Sequence, residues 1–527
     1  MAEHDQREIA QQPWIVLNGR GVQPPVKSRN RAGKTLILAL STLSLSACGN
    51  APPFGSKEAA SGDLQASVSD PQSRAFYQGR QWKDAWDKKA EKQLLSIIAS
   101  APANGLKPDL FIKGDLPKDP AQREAALTAA ALKYASALAH GYADPKKISV
   151  DYTIPRPAPA DSGALAKALA KGDLDDWYAS LPPQTAEYKA LSEAHLRYLA
   201  QAAKVHLQQI AGGKPIKPGQ HDSRLPAIAA SLSAMGYLPG QSAQPQRYDR
   251  SLVAAVKRLQ SDWSIKADGI IGETTLDAIN LGPAGLARQA AIAMERLRWL
   301  ERDPPETRID VNTAAAFLDY WRHGKHIDRR NVVTGEPDKQ TPQLQASFAQ
   351  LVANPKWRVP DSIAGKELAD KGAGWLQANN FGMEDGRYVQ GSGPKNSLGQ
   401  VKFDMQDPQQ IYLHDTPAKA LFAVPERHRS HGCVRVQNAL QFASLLTTQD
   451  NVFDQFQQAM ASGEEKWVKL KTKIPVRLLY HTAFFDGSRV QFRPDVYGWD
   501  DDVAMALGLV RGPAPKSSQQ QGEDVGP

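Results

Sequence analysis

The hydrophobic period of this chain changes once, and the change separates stretches that fold by different rules. Up to about residue 300, apolar residues recur at three- and four-residue intervals, the spacing of a helix face; from Arg308 onward they alternate, the spacing of a strand. A single core does not grow to 527 residues, so the expectation is a multidomain α+β protein: helical units first, then a mainly-β domain.

Within the helical part, residues 73–215 read as an α-helical scaffold. Trp82, Trp86, Leu94, Leu95 and Ile98 fit one helix, and the Ala/Leu-rich stretch 126–140 fits another that ends at Gly141, a C-cap glycine. Tyr188, Leu191, His195, Tyr198 and Ala202 share one face of a long helix, a pattern of core packing rather than chemistry. Pro155, Pro157 and Pro159 break the helices with an extended linker. Residues 216–284 form a distinct unit. A helix over 225–235 stops at Gly236, and Leu252, Ala255, Val256 and Leu259 line a second. Asp268-Gly269-Ile270-Ile271-Gly272 then turns tightly into a third, with Thr274 or Thr275 as its cap. This string resembles the small three-helix peptidoglycan-binding domain of wall enzymes.

The β part, residues 305–500, is expected to hold strands at Arg308–Asn312, 327–333, 401–403, 411–413 and 476–480, with helices near 439–446 and 452–460. Residues 501–527 read as a C-terminal tail, polar and disordered from Gly512.

The net charge of +8 draws partly on a basic N-terminus, and no basic run interleaves with aromatics, which argues against nucleic-acid binding. The N-terminus reads as an address. Basic residues from Lys27 to Lys34 precede the apolar run Thr35 to Leu45, and Leu45-Ser46-Ala47-Cys48 resembles a bacterial lipobox. Residues 1–47 are therefore expected to be a signal peptide, with Cys48 lipidated. The alternative is a plain secretory signal with an incidental cysteine. Residues 48–72, rich in Ser, Gly, Ala and Pro, read as a flexible tether. Gly49 after the cysteine points to the outer membrane, and residues 1–26 are long for the segment preceding such a signal.

Cys433 is the second of only two cysteines. A Cys48–Cys433 disulfide is conceivable in an oxidising compartment, but each cysteine has a separate local explanation. Cys433 lies in Ser430-His431-Gly432-Cys433-Val434-Arg435, 19 residues after His414, which follows the strand-like Ile411-Tyr412-Leu413. A thiol attacks a carbonyl as the thiolate, so it needs a base or cation beside it. His414 can serve as base, Arg435 adds fixed positive charge, and Gly432 lets the backbone turn so that amides aim at a developing oxyanion. His428, in the charged run Arg427-His428-Arg429, reads as solvated. A metal site of His414, His428, His431 and Cys433 is the competing reading, though neither HExxH nor a paired CxxC accompanies it.

The SHGCVR string after YLHDTP resembles the YkuD-type L,D-transpeptidase catalytic domain. Asn354-Pro355-Lys356-Trp357-Arg358-Val359-Pro360, Gly393-Pro394-Lys395-Asn396-Ser397-Leu398-Gly399 and Phe492-Arg493-Pro494-Asp495-Val496-Tyr497 extend the resemblance to the long subfamily with scaffold and peptidoglycan-binding domains. The resemblance implies that Cys433 is the nucleophile and His414 the general base. Gly432 and Cys433 would supply oxyanion amides, His431 and Arg435 would support the site, and Tyr412 and Ser430 would flank the substrate. Residues 361–398, with Trp375, Phe381 and Tyr388, would form a capping insertion over the site, Gly-rich and suited to a mobile lid.

It further implies 3→3 cross-linking of peptidoglycan stem peptides without metal or cofactor, acylation by carbapenems, a periplasm-facing lipid-anchored location, and work alongside other wall-synthesis enzymes. The rivals are an L,D-carboxypeptidase, a transpeptidase that attaches lipoproteins, and a non-catalytic wall-binding lipoprotein. The intact Cys433, His414 and Arg435 weigh against the last of these.

Overall fold

Strand alternation from Arg308 onward resolves, in a computed structural model, into strands β1 (Arg308–Asn312), β2 (Phe317–Arg322), β3 (Lys325–Gly335) and β4 (Gln345–Ala353). A small cap follows, with β5 (Trp357–Arg358), β6 (Phe381–Glu384) and β7 (Arg387–Gln390). The chain then returns through β8 (Val401–Phe403), β9 (Leu413–His414), β10 (His428–Ser430), β11 (Val434–Val436) and β12 (Lys466–Leu479), and ends the domain in a hairpin of β13 (Ala483–Phe485) and β14 (Val490–Phe492). The structure describes residues 61–149, 151–239 and 246–512. The expected signal peptide, Cys48, the start of the tether and residues 513–527 lie outside them.

The large sheet has nine strands in the order β10-β3-β11-β9-β8-β4-β12-β1-β2, and β2 also pairs with β3, so the order closes on itself. Its interior is packed by alternate residues of nearly every strand, among them Val311, Phe348, Phe403, Leu413, Val434 and Leu478, together with Phe442 and Leu446 of helix Ala439–Gln449. Because side chains alternate across a strand, the neighbours of Leu413 and Val434 face the other way. That opposite face carries the chemistry.

The expected helices form, with differences of detail. Helix Pro120–His140 ends at Gly141, whose φ of 90° is open to glycine. Trp82 and Trp86, however, are not on the helix with Leu94. The preceding helix stops at Gly79, Trp82 takes φ 59°, and the next helix, Lys88–Ala99, starts only after Asp87, whose carboxylate caps it. Tyr188, Leu191 and His195 are buried on helix Ala186–Lys204, and a His195 ring nitrogen donates to the Ala287 carbonyl at 2.8 Å, a packing role.

In the three-helix unit neither Thr274 nor Thr275 caps the third helix. Gly272 is its N-cap without a side-chain bond, and Thr275 turns inward to accept from Gln260 at 3.2 Å. That third helix, Glu273–Arg298, kinks at Gly282-Pro283 and continues into the scaffold. Its unit therefore shares a core with Tyr188 and Leu191 of the scaffold and with Ala483 and Phe492 of the β-hairpin.

Two segments expected to be loose are docked. Leu64 and Val68, in the expected tether, are buried in the scaffold core from the helix Ser61–Ser67 and just beyond it; their four-residue spacing puts both on one face. The expected tail begins inside helix Trp499–Ala506, whose Val503 and Ala504 enter the same core, while Asp500 makes a buried ion pair with Arg296.

Candidate active site

The register of three short strands builds the site. β9 and β11 run parallel with His414 beside Arg435, and β8 lies antiparallel with Lys402 opposite His414. Lys402, His414 and Arg435 therefore form a row across three strands on the face away from the core, where Val401, Phe403, Leu413, Val434 and Val436 are packed. One step back along the parallel pair, the Val434 N–H donates to the Tyr412 carbonyl at 3.0 Å, which sets Cys433 beside Tyr412 and makes His414 the diagonal neighbour of the thiol. The sequence singled out Cys433, His414, Tyr412 and Arg435, and the structure brings these four together. Sequence reasoning missed Lys402, whose place depends on strand pairing.

The turn before Cys433 is locked by its own side chains. Gly432 has φ 116°, a conformation that strains any residue with a Cβ. Ser430 Oγ donates to the Cys433 carbonyl at 2.6 Å and accepts from the Gly432 N–H at 3.2 Å, and Thr341 Oγ1 donates to the Gly432 carbonyl at 2.8 Å. Of the two amides expected to form an oxyanion hole, the one at Gly432 is thus already engaged. Ser430, fully buried, shapes the turn and does not line the substrate cavity. Tyr497 braces the same loop from the far end of the domain: its hydroxyl donates to the Gly335 carbonyl at 2.6 Å and accepts from the Thr341 N–H at 3.3 Å. On the other side, Gly399 lies so close to Asp415 that a Cβ would fall 2.4 Å from its carboxylate, so the chain beside His414 needs glycine there.

Thiol and imidazole are both held neutral. Burial pushes Cys433 up to about 11, against opposing pulls from Tyr412, Lys402 and Arg435. His414 has no exposed surface; burial first, then the charges of Arg435 and Lys402, push it down to about 3. The expectation that nearby cations would lower the thiol is corrected: they act in that direction, and desolvation outweighs them. No hydrogen bond joins the ring to the thiol. The His414 ring is turned toward the backbone of Asp415 and Leu398, and the thiol donates to the Gln410 carbonyl at 3.7 Å, with the Tyr412 hydroxyl facing it.

Cys433 and Tyr412 open onto a cavity of about 710 Å³. Its walls bring four cations, Lys339, Lys356, Arg358 and Lys402, against the carboxylates Glu367 and Asp407, a balance suited to an anionic peptide. The cap supplies one wall through Ile363, Glu367 and Leu398. Trp375, Phe381 and Tyr388 do not reach the cavity. They pack within the cap, with Trp375 stacked on Phe381 at 5.8 Å, against a core of Trp357, Val359, Ile363, Leu368 and Leu398. The cap is also more regular than expected, with its own three-stranded sheet β5-β7-β6.

His431 is engaged with the cap. Its Nε2 is bonded to the carboxylate of Glu367, a cap residue that nothing in the local sequence singles out. His428 is not solvated but buried in β10, with Nε2 donating to the Thr313 carbonyl at 2.9 Å and Nδ1 against Glu426 at 2.8 Å. Among the described residues, no group of three or more His, Cys, Asp and Glu side chains is arranged to hold a metal ion.

Comparison with known proteins divides the chain in the same places. Residues 306–453 match the model of the L,D-transpeptidase catalytic domain, residues 71–194 that of a scaffold domain, and residues 222–279 that of a "Putative peptidoglycan binding domain". A curated protein of Haemophilus influenzae described as "Putative L,D-transpeptidase" is 28% identical over 249 residues, 42% of this chain and 50% of that protein, so the match spans half of the relative's length. Solved structures of L,D-transpeptidases from Stackebrandtia nassauensis and Mycobacterium smegmatis align at TM-scores of 0.22 and 0.19 with 14% and 13% identity, covering 51% and 33% of this chain and 97% and 58% of theirs. Superpositions of that quality say nothing about function. The catalytic-domain match holds Cys433 and the row Lys402, His414, Arg435 within its bounds: residues 306–453 match the L,D-transpeptidase catalytic domain, in a chain that also matches scaffold and peptidoglycan-binding domains.

Proposed function

We propose that the chain cross-links peptidoglycan stem peptides 3→3 through a thioester on Cys433. The observation that carries the reading is the placement of that thiol at the floor of a cation-walled cavity with His414 one diagonal away on the same sheet face. As the Cys433 sulfur bonds to the carbonyl carbon of the third residue of a tetrapeptide stem, its proton passes to His414. The C–N bond to D-alanine then breaks, and the leaving amine takes that proton. The side-chain amine of a second stem attacks the thioester, its C–N bond forms as the C–S bond breaks, and Cys433 recovers a proton. Lys402 and Arg435 disfavour a lasting imidazolium, so His414 passes its proton on quickly. Water would turn the enzyme into a carboxypeptidase, and the cap over the cavity is the feature that disfavours water.

Purified protein incubated with tetrapeptide muropeptides should yield dimers by mass. Tripeptides alone would make it a carboxypeptidase, and unchanged substrate would sink the reading. A carbapenem should leave a single covalent adduct on the wild type and none on Cys433→Ala. The same reading places the protein in the cell envelope, diacylated at Cys48 by virtue of its lipobox-like sequence and facing peptidoglycan. Partition into detergent that is lost in Cys48→Ser tests this, because two acyl chains hold a protein firmly where one does not.

A further inference from the structure

The cap meets the catalytic loop through one carboxylate. Glu367 lies on a single π-helical turn, Ala364–Leu368, a rare geometry that often marks functional positions. Its neighbour Leu368 is fully buried in the cap core, which fixes the turn. Glu367 crosses the cavity wall to bond His431 Nε2 and lies 3.4 Å from Lys339 Nζ, which is itself held by Glu336 at 2.8 Å. His431 has little other restraint: its Nδ1 is buried without a hydrogen-bond partner. It is joined to Cys433 through Gly432, the residue with φ 116°. Lys339 belongs to the loop that contains Thr341, which grips the Gly432 carbonyl. Both partners of Glu367 are thus parts of the frame that orients the nucleophile.

We propose that Glu367 is a positioning residue that ties the capping segment to the catalytic loop, so that the loop around Cys433 is fully oriented only while the cap covers it. The proposal rests on the cross-linking reading for its purpose and on the contact geometry for its existence. When the cap lifts to admit a peptide, His431 loses its partner and the loop relaxes; when it closes on an acylated thiol, orientation and exclusion of water arrive together. Burial alone would raise the Glu367 carboxyl. The hydrogen bond and charge of His431, then Lys339, outweigh it and hold the group below the ordinary value of 4.5. A lowered carboxyl stabilises the closed state at pH above that value and loses the effect as pH falls through its depressed titration.

The test compares wild type with Glu367→Ala, Glu367→Gln and Lys339→Met in the full chain by hydrogen exchange and by iodoacetamide labelling of Cys433. A hydrogen bond to a charged group is strong enough that Glu367→Ala should raise both cap exchange over 361–398 and Cys433 labelling roughly tenfold or more. Glu367→Gln, which keeps an acceptor for His431 and loses the charge facing Lys339, should fall between, and Lys339→Met should reproduce the charge part. Exchange in β1 and β12 should not change. Wild-type cap exchange and labelling in Glu367→Ala would overturn the proposal, as would an equal rise in β1 and β12, which would mean general destabilisation. Turnover of tetrapeptide should fall in Glu367→Ala and recover partly in Glu367→Gln. If neither wild type nor variants turn it over while labelling follows the expected order, the cross-linking reading fails and the tie stands.

Discussion

Leu413 and Val434, on the strands that carry the reactive groups, have no exposed surface and sit in a core assembled from strands throughout the domain, whereas the cap facing them rests on six buried residues of its own and an ionic contact at Glu367. The sheet sets Cys433 and His414 side by side through backbone register, and the proposed Glu367 tie adds only the final orientation of the loop. The cap is held by side chains, each replaceable at modest cost, and an element of that kind opens locally long before the domain unfolds. On the proposed mechanism, formation of the thioester depends chiefly on the sheet, and its fate on the cap. That division can be broken by a cap variant that abolishes acylation, or by a sheet variant that alters only which acceptor is used.

The largest effect is expected on the sheet. His414→Ala should slow acylation by about 10²–10⁴-fold, the usual contribution of a general base. The thiol titration of the free protein should barely move, because burial rather than His414 sets it: alkylation of Cys433 should rise with pH through a value near 11 in both proteins, against the ordinary 9.0. A thiol that titrates near the ordinary value in wild type and shifts upward in the variant would mean that a thiolate–imidazolium pair exists at rest, contrary to the geometry here.

Part of this division was legible before the fold. Alternation placed strands at Arg308–Asn312, 401–403 and 476–480, and the motif around His414, Gly432 and Cys433 singled out residues that the structure brings to one face of the sheet. These signals are local. The row Lys402, His414, Arg435 was not legible, because register between strands separated by loops leaves no mark in either strand. Glu367 was hidden for the same reason, lying 64 residues from the histidine it holds. The docked N-terminal end was missed because Leu64 and Val68 are a single apolar pair in a stretch rich in Ser, Gly and Asp, whereas at the other end Val503, Ala504 and Leu507 belong to the apolar run 503–510, a signal that was present and passed over for the polar residues beyond it. Trp375, Phe381 and Tyr388 were recognised as cap residues, but their burial in its core rather than at the cavity is a matter of tertiary packing.

The cap should respond more weakly and in a different observable. Phe381→Ala removes an aromatic ring stacked on Trp375 and packed near Trp357 at 6.3 Å, a change that costs about 3–5 kcal/mol in a well-packed core. Here the loss falls on a small unit, so the expected result is a more open cap rather than an unfolded domain. Acylation by donor should stay within roughly tenfold of wild type, while products shift from dimers toward tripeptides as water gains access to the thioester. Loss of acylation on the scale of His414→Ala would show that the cap helps to make the thioester and would break the division.

The smallest effect on chemistry, and the one that separates position from proximity, is expected at His428. Arginines on either side suggest a solvated residue, yet the same segment read at period two, with His428 and Ser430 inward and Arg429 less buried, is a strand, and β10 pairs with β3 through Thr334 and Gly335. Its ring joins the Thr313 carbonyl to Glu426 and meets Tyr497 edge-on at 5.8 Å, so it supports the framework that braces the 335–341 loop without facing the thiol. His428→Ala would leave the buried Thr313 carbonyl without this donor and deprive Glu426 of a ring contact, for a stability loss of about 1–3 kcal/mol. Acylation, measured below the lowered melting temperature, should remain within a few-fold of wild type. His428→Gln, which can restore one donor, should recover part of the stability. An acylation defect as large as that of His414→Ala, in a variant whose melting temperature is unchanged, would show that His428 acts on the reaction itself and that the sheet holds two bases rather than one.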